Sequence, residues 1–165
     1  MYTFRDYYNN EVKLSFDDHP FSTSPKHVWV VCRHKDDWLL TKHKGRGYEF
    51  PGGNVEDGET ARKAAVREVM EETGGKVEDI SYIGQYYVAG KTETIIKNVY
   101  FAQIDQLIQQ DTYFETDGPF LLKTIPSNVK DNHLYSFIMK DGVLDYCMKH
   151  IRNTWRIAGT KSHKY

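Results

Sequence analysis

Tyr48-Glu-Phe-Pro-Gly-Gly-Asn-Val-Glu-Asp-Gly-Glu59, followed by a helix-forming run that ends Arg67-Glu-Val-Met-Glu-Glu-Thr-Gly74, is the stretch that decides this chain. Pro51 fixes one backbone dihedral, while Gly52 and Gly53 reach conformations closed to other residues and let the main chain approach a ligand or ion closely. From Thr60 a run of good helix formers predicts a helix to Thr73, with Glu59 near the start, where the macrodipole favours negative charge, and Gly74-Gly75 as the stop. At 100° per residue, Val66, Val69, Met70 and Thr73 form an apolar stripe expected to pack on a sheet. Opposite them stand Ala61, Ala64, Ala65, Glu68, Glu71 and Glu72, three carboxylates spaced by three and four residues beside very small side chains.

Like charges at such spacings cost an isolated helix roughly 0.2–0.5 kcal/mol per pair. A divalent cation removes the repulsion. Oxygen donors suit a hard ion, Mg²⁺ with Mn²⁺ as a substitute, and the absence of neighbouring His or Cys argues against zinc. The alanines let the Gly52-Gly53 backbone close over the helix and offer carbonyl oxygens to the same ion. A Glu-rich helix surface is usually no more than a solvated face; the glycine loop ahead and the small residues beside the acids set this one apart.

Outward from this segment, apolar runs bounded by turn residues predict strands near 12–16, 27–33, 38–43, 80–88 and 94–104. Asp36-Asp37 reads as a hairpin turn and Gly90 as a break between the last two strands. A second helix is expected from about Leu134 to Ile151, with a weaker one near 106–110. The order strands, helix, strands, helix indicates an α/β or α+β sandwich with antiparallel or mixed pairing. One domain is expected over residues 1–158, with 159–165 a polar tail that frays.

Hydrophobic residues make up 39% of the 165 and aromatics 14%, enough to exclude a disordered chain. The net charge of −1 supplies no whole-molecule field toward nucleic acid or lipid, so local charges and bound cations must handle an anionic substrate. Cys32 and Cys147 sit in apolar runs without metal-ligand spacing and read as buried, reduced thiols. With no signal-like start and no run of about 20 apolar residues, a cytoplasmic location without membrane partners is the expectation.

Gly53, five residues, Glu59, seven residues, then Arg67-Glu-Val-Met-Glu-Glu-Thr-Gly74 resembles the signature of the Nudix hydrolases at every polar and glycine position. Only Gly75 departs, where the family usually has an aliphatic residue, which would loosen the packing just after the helix. The resemblance implies the Nudix α/β/α sandwich with a mixed sheet, and Mg²⁺-dependent hydrolysis of a nucleoside diphosphate linkage. It implies Glu71 and Glu72 as metal ligands, joined by Glu68 and the Gly52 carbonyl, with Glu59 and Arg67 as an ion pair holding the loop to the helix. The general base is then Glu68 or an acid from a later loop, for which Glu115 is the first candidate and Asp117 the second.

Lys42 and Arg46, just before the loop, are candidates to hold phosphate. Phe50 is a candidate to lie under the base, and Asn128 or Asn132 to read a purine edge, against core packing for Phe50 and capping or turn roles for the asparagines. Size and layout are similar to MutT-type 8-oxo-dGTP diphosphatases of the YtkD group. That likeness implies 8-oxo-dGTP as substrate, nucleoside monophosphate and pyrophosphate as products, and a part in nucleotide-pool sanitation. An RNA 5′-pyrophosphohydrolase is the alternative, expected to need a basic groove; an ADP-sugar or dinucleotide hydrolase is less favoured. A catalytically silent binding module is the reading from another class, set back because no signature acid is missing. The last helix closes one face of the sandwich or serves a dimer contact, and the sequence leaves that open.

Overall fold

The computed structural model describes residues 1–157; the tail expected to fray lies outside them. Nine strands form one mixed sheet: β1 (Tyr2–Arg5), β2 (Glu11–Ser15), β3 (His27–His34), β4 (Asp37–His43), β5 (Gly47–Glu49), β6 (Gly52–Asn54), β7 (Gly75–Ala89), β8 (Thr94–Leu107) and β9 (Thr116–Leu122). The main order is β1-β2-β7-β8-β3-β4-β5, with β6 paired to β3 and β9 to β4. The β3–β8 pair is parallel and the others antiparallel. Helices α1 (Ala61–Thr73) and α2 (Gly142–Trp155) complete the chain, with single 3₁₀ turns at Val129–Asp131 and Phe137–Met139. No helix among the described residues is long and apolar enough to cross a membrane.

The alternation of β3 sorts its side chains to two faces. Val28, Val30 and Cys32 join Ala64, Ala65 and Val69 of α1, while Trp29 and Val31 join Val143, Leu144, Cys147 and Ile151 of α2. Both cysteines are free and buried, as expected.

Several expectations need correction. The stripe Val66, Val69, Met70, Thr73 is the packed face of α1 only in part: Val69 and Thr73 are completely buried, but so are Ala64 and Ala65 from the side expected to face away, whereas Val66 is exposed. Small side chains let the helix lie close to the sheet, so the contact turns toward the alanines and draws Glu68 and Glu72 into its edge. The last helix begins at Gly142, not near Leu134. The Asp141 side chain caps it by accepting from Val143 N (2.9 Å), and the preceding segment winds as 3₁₀ turns, one capped by Ser136. The segment 106–110 is the end of β8 and a loop instead of a helix, because β8 pairs with β7 as far as Leu107. The hairpin after β3 turns at Lys35 and Asp36, with Lys35 at φ 54°, one residue ahead of the expected pair.

Gly75 opens β7 in a tight site, not a loose one. A Cβ there would stand 3.1 Å from Val69 Cγ1 and 3.2 Å from Ile104 Cγ2, so an aliphatic side chain would have no room.

The sheet divides where the chemistry lies. β3 pairs with β4 only over Cys32–His34 and with β6 over His27–Trp29. The glycine loop is therefore a short strand laid on β3, and β4 leans away to pair with β5 and β9.

Candidate active site

Helix α1 is held at both ends. Thr60 caps its start, accepting from Lys63 N at 3.1 Å, a contact worth about 1 kcal/mol. At the other end Gly74 takes the left-handed conformation (φ 71°) and its N–H donates to the Met70 carbonyl. The Glu72 carbonyl accepts from the hydroxyls of Thr41 (3.1 Å) and Thr116 (3.0 Å), and the Glu71 carbonyl accepts from Gln110 Nε2 (3.3 Å). These anchors from β4, β9 and the loop between β8 and β9 carry no signature a sequence would show. They fix the direction in which the acidic turn points.

Arg67 fastens the loop. Its Nε and Nη2 donate to the two Glu59 oxygens at 2.7 and 2.9 Å, and Nη2 also donates to the Asn54 carbonyl at 2.9 Å. The paired guanidinium holds the Glu59 carboxyl down at about 2, and the same hydrogen bonds raise Arg67. Nη1 lies 3.4 Å from Glu71 and 3.7 Å from Glu68. One cation thus reaches most of the local acids.

Gly52 and Gly53 meet the helix without side chains between them. Gly52 N donates to Glu72 Oε1 at 3.2 Å, and a Cβ on Gly53 would collide with the Glu68 carboxylate. Burial raises Glu68 to about 7, with Arg67 opposing and nearby acids adding to the rise. Burial, reinforced by Glu68 and Glu49, raises Glu72 to about 9 against the pull of Gly52 N–H and Arg46. Desolvated carboxyls crowded together retain protons unless a cation replaces them. As they stand, no three His, Cys, Asp or Glu side chains among the described residues are grouped tightly enough to grip an ion. Rotation of Glu71 off Arg67, together with the bare backbone at Gly52, offers the missing oxygens. All of these donors are oxygen, so the set fits a hard divalent cation such as Mg²⁺.

These groups line a cleft of about 530 Å³. Glu68, Glu71, Glu72, Gly52, Gly53, Arg67, Arg46, Phe50 and Glu115 all line it. Arg46 is engaged in a bidentate pair with buried Glu49 (3.0 and 2.9 Å), and that pairing raises it. Phe50 is 1% exposed and packs edge-on to Trp29 at 5.8 Å, so it belongs to the core as much as to the cleft wall.

Four expected residues stand elsewhere. Glu59 lies beneath the lining with its partner Arg67. Lys42 sits over the Tyr48 ring at 5.7 Å. Asn128 precedes the first 3₁₀ turn, and Asn132 Oδ1 accepts from Leu134 N at 3.0 Å; neither asparagine lines the cleft. In their place the lining includes Trp29, paired with Gly52 across β3 and β6, together with Ile95, Lys97, Phe137 and Ile138. Sequence reasoning assigned Phe137 and Ile138 to the closing helix and overlooked Lys97. The only signal was a lysine breaking an apolar strand. Lys97 lies over the Tyr86 ring at 5.6 Å, and burial lowers its pKa.

Comparison with known proteins bears on this site directly. The NUDIX domain family matches residues 22–119. The chain is 56% identical over 154 residues to YtkD of Bacillus subtilis (strain 168), a protein named, provisionally, as an 8-oxo-dGTP diphosphatase; the match covers 93% of this chain and 98% of YtkD. It is similar to the crystal structure of the Bacillus subtilis pyrophosphohydrolase BsRppH (E68A mutant), with a TM-score of 0.94 and 55% identity over 95% of this chain and 99% of that one. A shorter likeness, 42% over 53 residues, links it to the RNA pyrophosphohydrolase of Aeromonas hydrophila subsp. hydrophila, covering 32% of this chain and 30% of that protein.

Proposed function

Because this chain belongs to the Nudix family of hydrolases, enzymes that act on diphosphate linkages, we propose that it removes pyrophosphate from a nucleoside 5′-triphosphate and leaves the 5′-monophosphate. The observation that carries this reading is a cleft with two chemistries. Its lining sets partly buried carboxylates and a bare glycine backbone beside Trp29, Phe137 and Ile138 with a single lysine, Lys97. A triphosphate needs the first environment and a base the second.

Glu68, Glu71, Glu72 and the Gly52 carbonyl would hold Mg²⁺, with Mn²⁺ able to substitute. When bound, the ion supplies neutralisation of the phosphate oxygens and a more acidic attacking water. Arg67 and Glu59 keep the loop on the helix while these ligands turn inward. Arg46, already committed to Glu49, offers its charge to the phosphates without swinging free. Glu115 is the general base: its side chain is 85% exposed, so it is free to reach a water, whereas Glu68 is pinned against Gly53.

The 5′-triphosphorylated end of an RNA is the first reading. The cleft is open at its rim, where Phe114, 55% exposed, offers a face for the next base to stack on and a continuing strand can leave. The likeness to the pyrophosphohydrolase BsRppH over 95% of this chain and the shorter likeness to an RNA pyrophosphohydrolase support it. This reverses the order expected from the sequence, because recognition limited to the RNA end needs Arg46 and Lys97 and not a long basic groove. Free 8-oxo-dGTP is the second reading, favoured by the equally extensive likeness to YtkD.

Turnover with Mg²⁺ should be compared on 5′-triphosphorylated RNA, 8-oxo-dGTP, ordinary NTPs and dNTPs, ADP-ribose and dinucleoside polyphosphates. A kcat/KM for RNA above that for 8-oxo-dGTP is expected; the reverse order installs the second reading. ADP-ribose or a dinucleotide as best substrate overturns both.

A further inference from the structure

We propose that His43 is the positioning residue that aims the Glu115 carboxylate at the attacking water, an inference that rests on the reading of Glu115 as general base. His43 ends β4, where the strand leaves its pairing with β9: a register irregularity lies between Thr41 and His43, and His43 stands opposite Thr116. Its Nδ1 accepts two backbone hydrogen bonds, from Gly45 N at 3.0 Å and Arg46 N at 3.1 Å. A ring nitrogen that accepts carries no proton, so the proton of the neutral imidazole resides on Nε2. Nε2 faces Glu115 Oε2 at 3.6 Å.

The two partners differ in freedom. The His43 side chain is 15% exposed and anchored at Nδ1, while that of Glu115 is 85% exposed. The backbone around Glu115 is tethered as well: Lys44 N donates to the Glu115 carbonyl at 3.0 Å, Lys44 Nζ to the Phe114 carbonyl at 3.4 Å, and the Thr116 hydroxyl to the Glu72 carbonyl at 3.0 Å. Phe114 is held at φ 62°, a left-handed conformation that a bulky residue adopts only where surrounding contacts impose it. The loop is thus fixed to β4 and to α1, and the carboxylate alone is left to be directed. A short closing movement brings it to hydrogen-bond length from a donor that is already fixed.

In the reaction, a water O–H bond breaks and its proton passes to the Glu115 carboxylate. The water oxygen bonds to phosphorus as the anhydride bond breaks, and its electron pair leaves with pyrophosphate. His43 takes no part in the proton transfer: Nδ1 is engaged by two backbone N–H groups and Nε2 donates toward Glu115, so it orients the base without relaying charge.

The test separates the two ring nitrogens. His43→Asn places an acceptor where Nδ1 was and leaves nothing at Nε2; His43→Gln places a donor at the Nε2 position. With Mg²⁺ and whichever of 5′-triphosphorylated RNA or 8-oxo-dGTP is cleaved faster, His43→Asn should lower kcat about tenfold at unchanged KM, since misdirected groups lose this much or more. His43→Gln should stay within about threefold of the native rate, a smaller misplacement of the same kind. Glu115→Gln should cost about a hundredfold, and adding His43→Asn to it should cost nothing further, because the donor then has no base to aim. Losses that multiply in the double variant, or a His43→Gln no better than His43→Asn, overturn the positioning role. Full activity of Glu115→Gln instead removes the base on which that role depends. Circular dichroism and melting of each variant confirm that the comparison is between folded proteins.

Discussion

The acidic wall of the cleft and its aromatic wall are assembled by different routes. Gly52, Gly53, Glu68, Glu71 and Glu72 arrive from one continuous segment, β6 and α1, and their geometry follows from helical spacing once Arg67 ties the loop down. Trp29, Lys97 and Phe137 come from β3, β8 and a 3₁₀ turn far along the chain, joined only because β3 and β8 run parallel and the segment ahead of α2 folds back over them. The candidate metal ligands sit where the chain is local. The proposed base Glu115 and the lining proposed to choose the substrate come from distant segments, which suits a family scaffold that keeps one reaction and changes the molecule it acts on.

If the walls are so divided, damage to each should register in a different kinetic constant. On the acidic wall, Glu72→Gln is expected to lower kcat at least about a hundredfold with Mg²⁺ present, as loss of metal-assisted charge stabilisation does. Gly53→Ala should follow at about ten- to a hundredfold, because the added methyl displaces the Glu68 carboxylate from a geometry that tolerates little error. Single-turnover rates would locate both losses in the chemical step. Lys97→Met, on the other wall, should raise KM about tenfold, the cost of one charged contact, while kcat stays nearly native. A kcat collapse from Lys97→Met would break the division.

A further consequence concerns pH. Glu68 at about 7 and Glu72 at about 9 lie above the ordinary glutamate value near 4.3. Between those limits the folded protein retains protons that the unfolded chain has released, so metal-free stability is complete below about pH 4 and is lost as pH rises through 7 and on through 9. In chelator, melting at about pH 9 should fall below that at about pH 6 by some 2–4 °C per kcal/mol lost. Mg²⁺ should narrow the gap, and Glu72→Gln should flatten it. A melting temperature independent of pH in chelator would mean that these carboxyls are not desolvated as the fold implies. The smallest effect is expected at Asn128, outside both walls: Asn128→Ala should leave kcat and KM within about twofold, the range of a surface change.

Much of this was readable before the fold was known. The five expected strands and the helix from Thr60 to Thr73 follow from alternation and from the glycine stop, both local properties. The short strands β1, β5, β6 and β9 escaped notice: β6 and β9 pair with partners distant in sequence, while β1 and β5 are only four and three residues long beside their neighbours β2 and β4; β6 in particular reads as a loop, being Gly-Gly-Asn. The face of α1 was only partly legible for a related reason. A hydrophobic stripe ranks side chains by polarity, but besides Val69 and Thr73 the sheet accepted the small Ala64 and Ala65 and left Val66 outside.

By itself, then, the sequence determined the family, through a signature contained in one segment, and brought Glu68, Glu71 and Glu72 together by helical spacing. Tertiary structure alone decided that Glu68 and Glu72 are partly buried, that Lys97, Trp29 and Phe137 line the cleft while Asn128 and Asn132 do not, and that His43 faces Glu115. Each of these is a contact across the chain, and helical or strand periodicity carries no information about which distant elements meet.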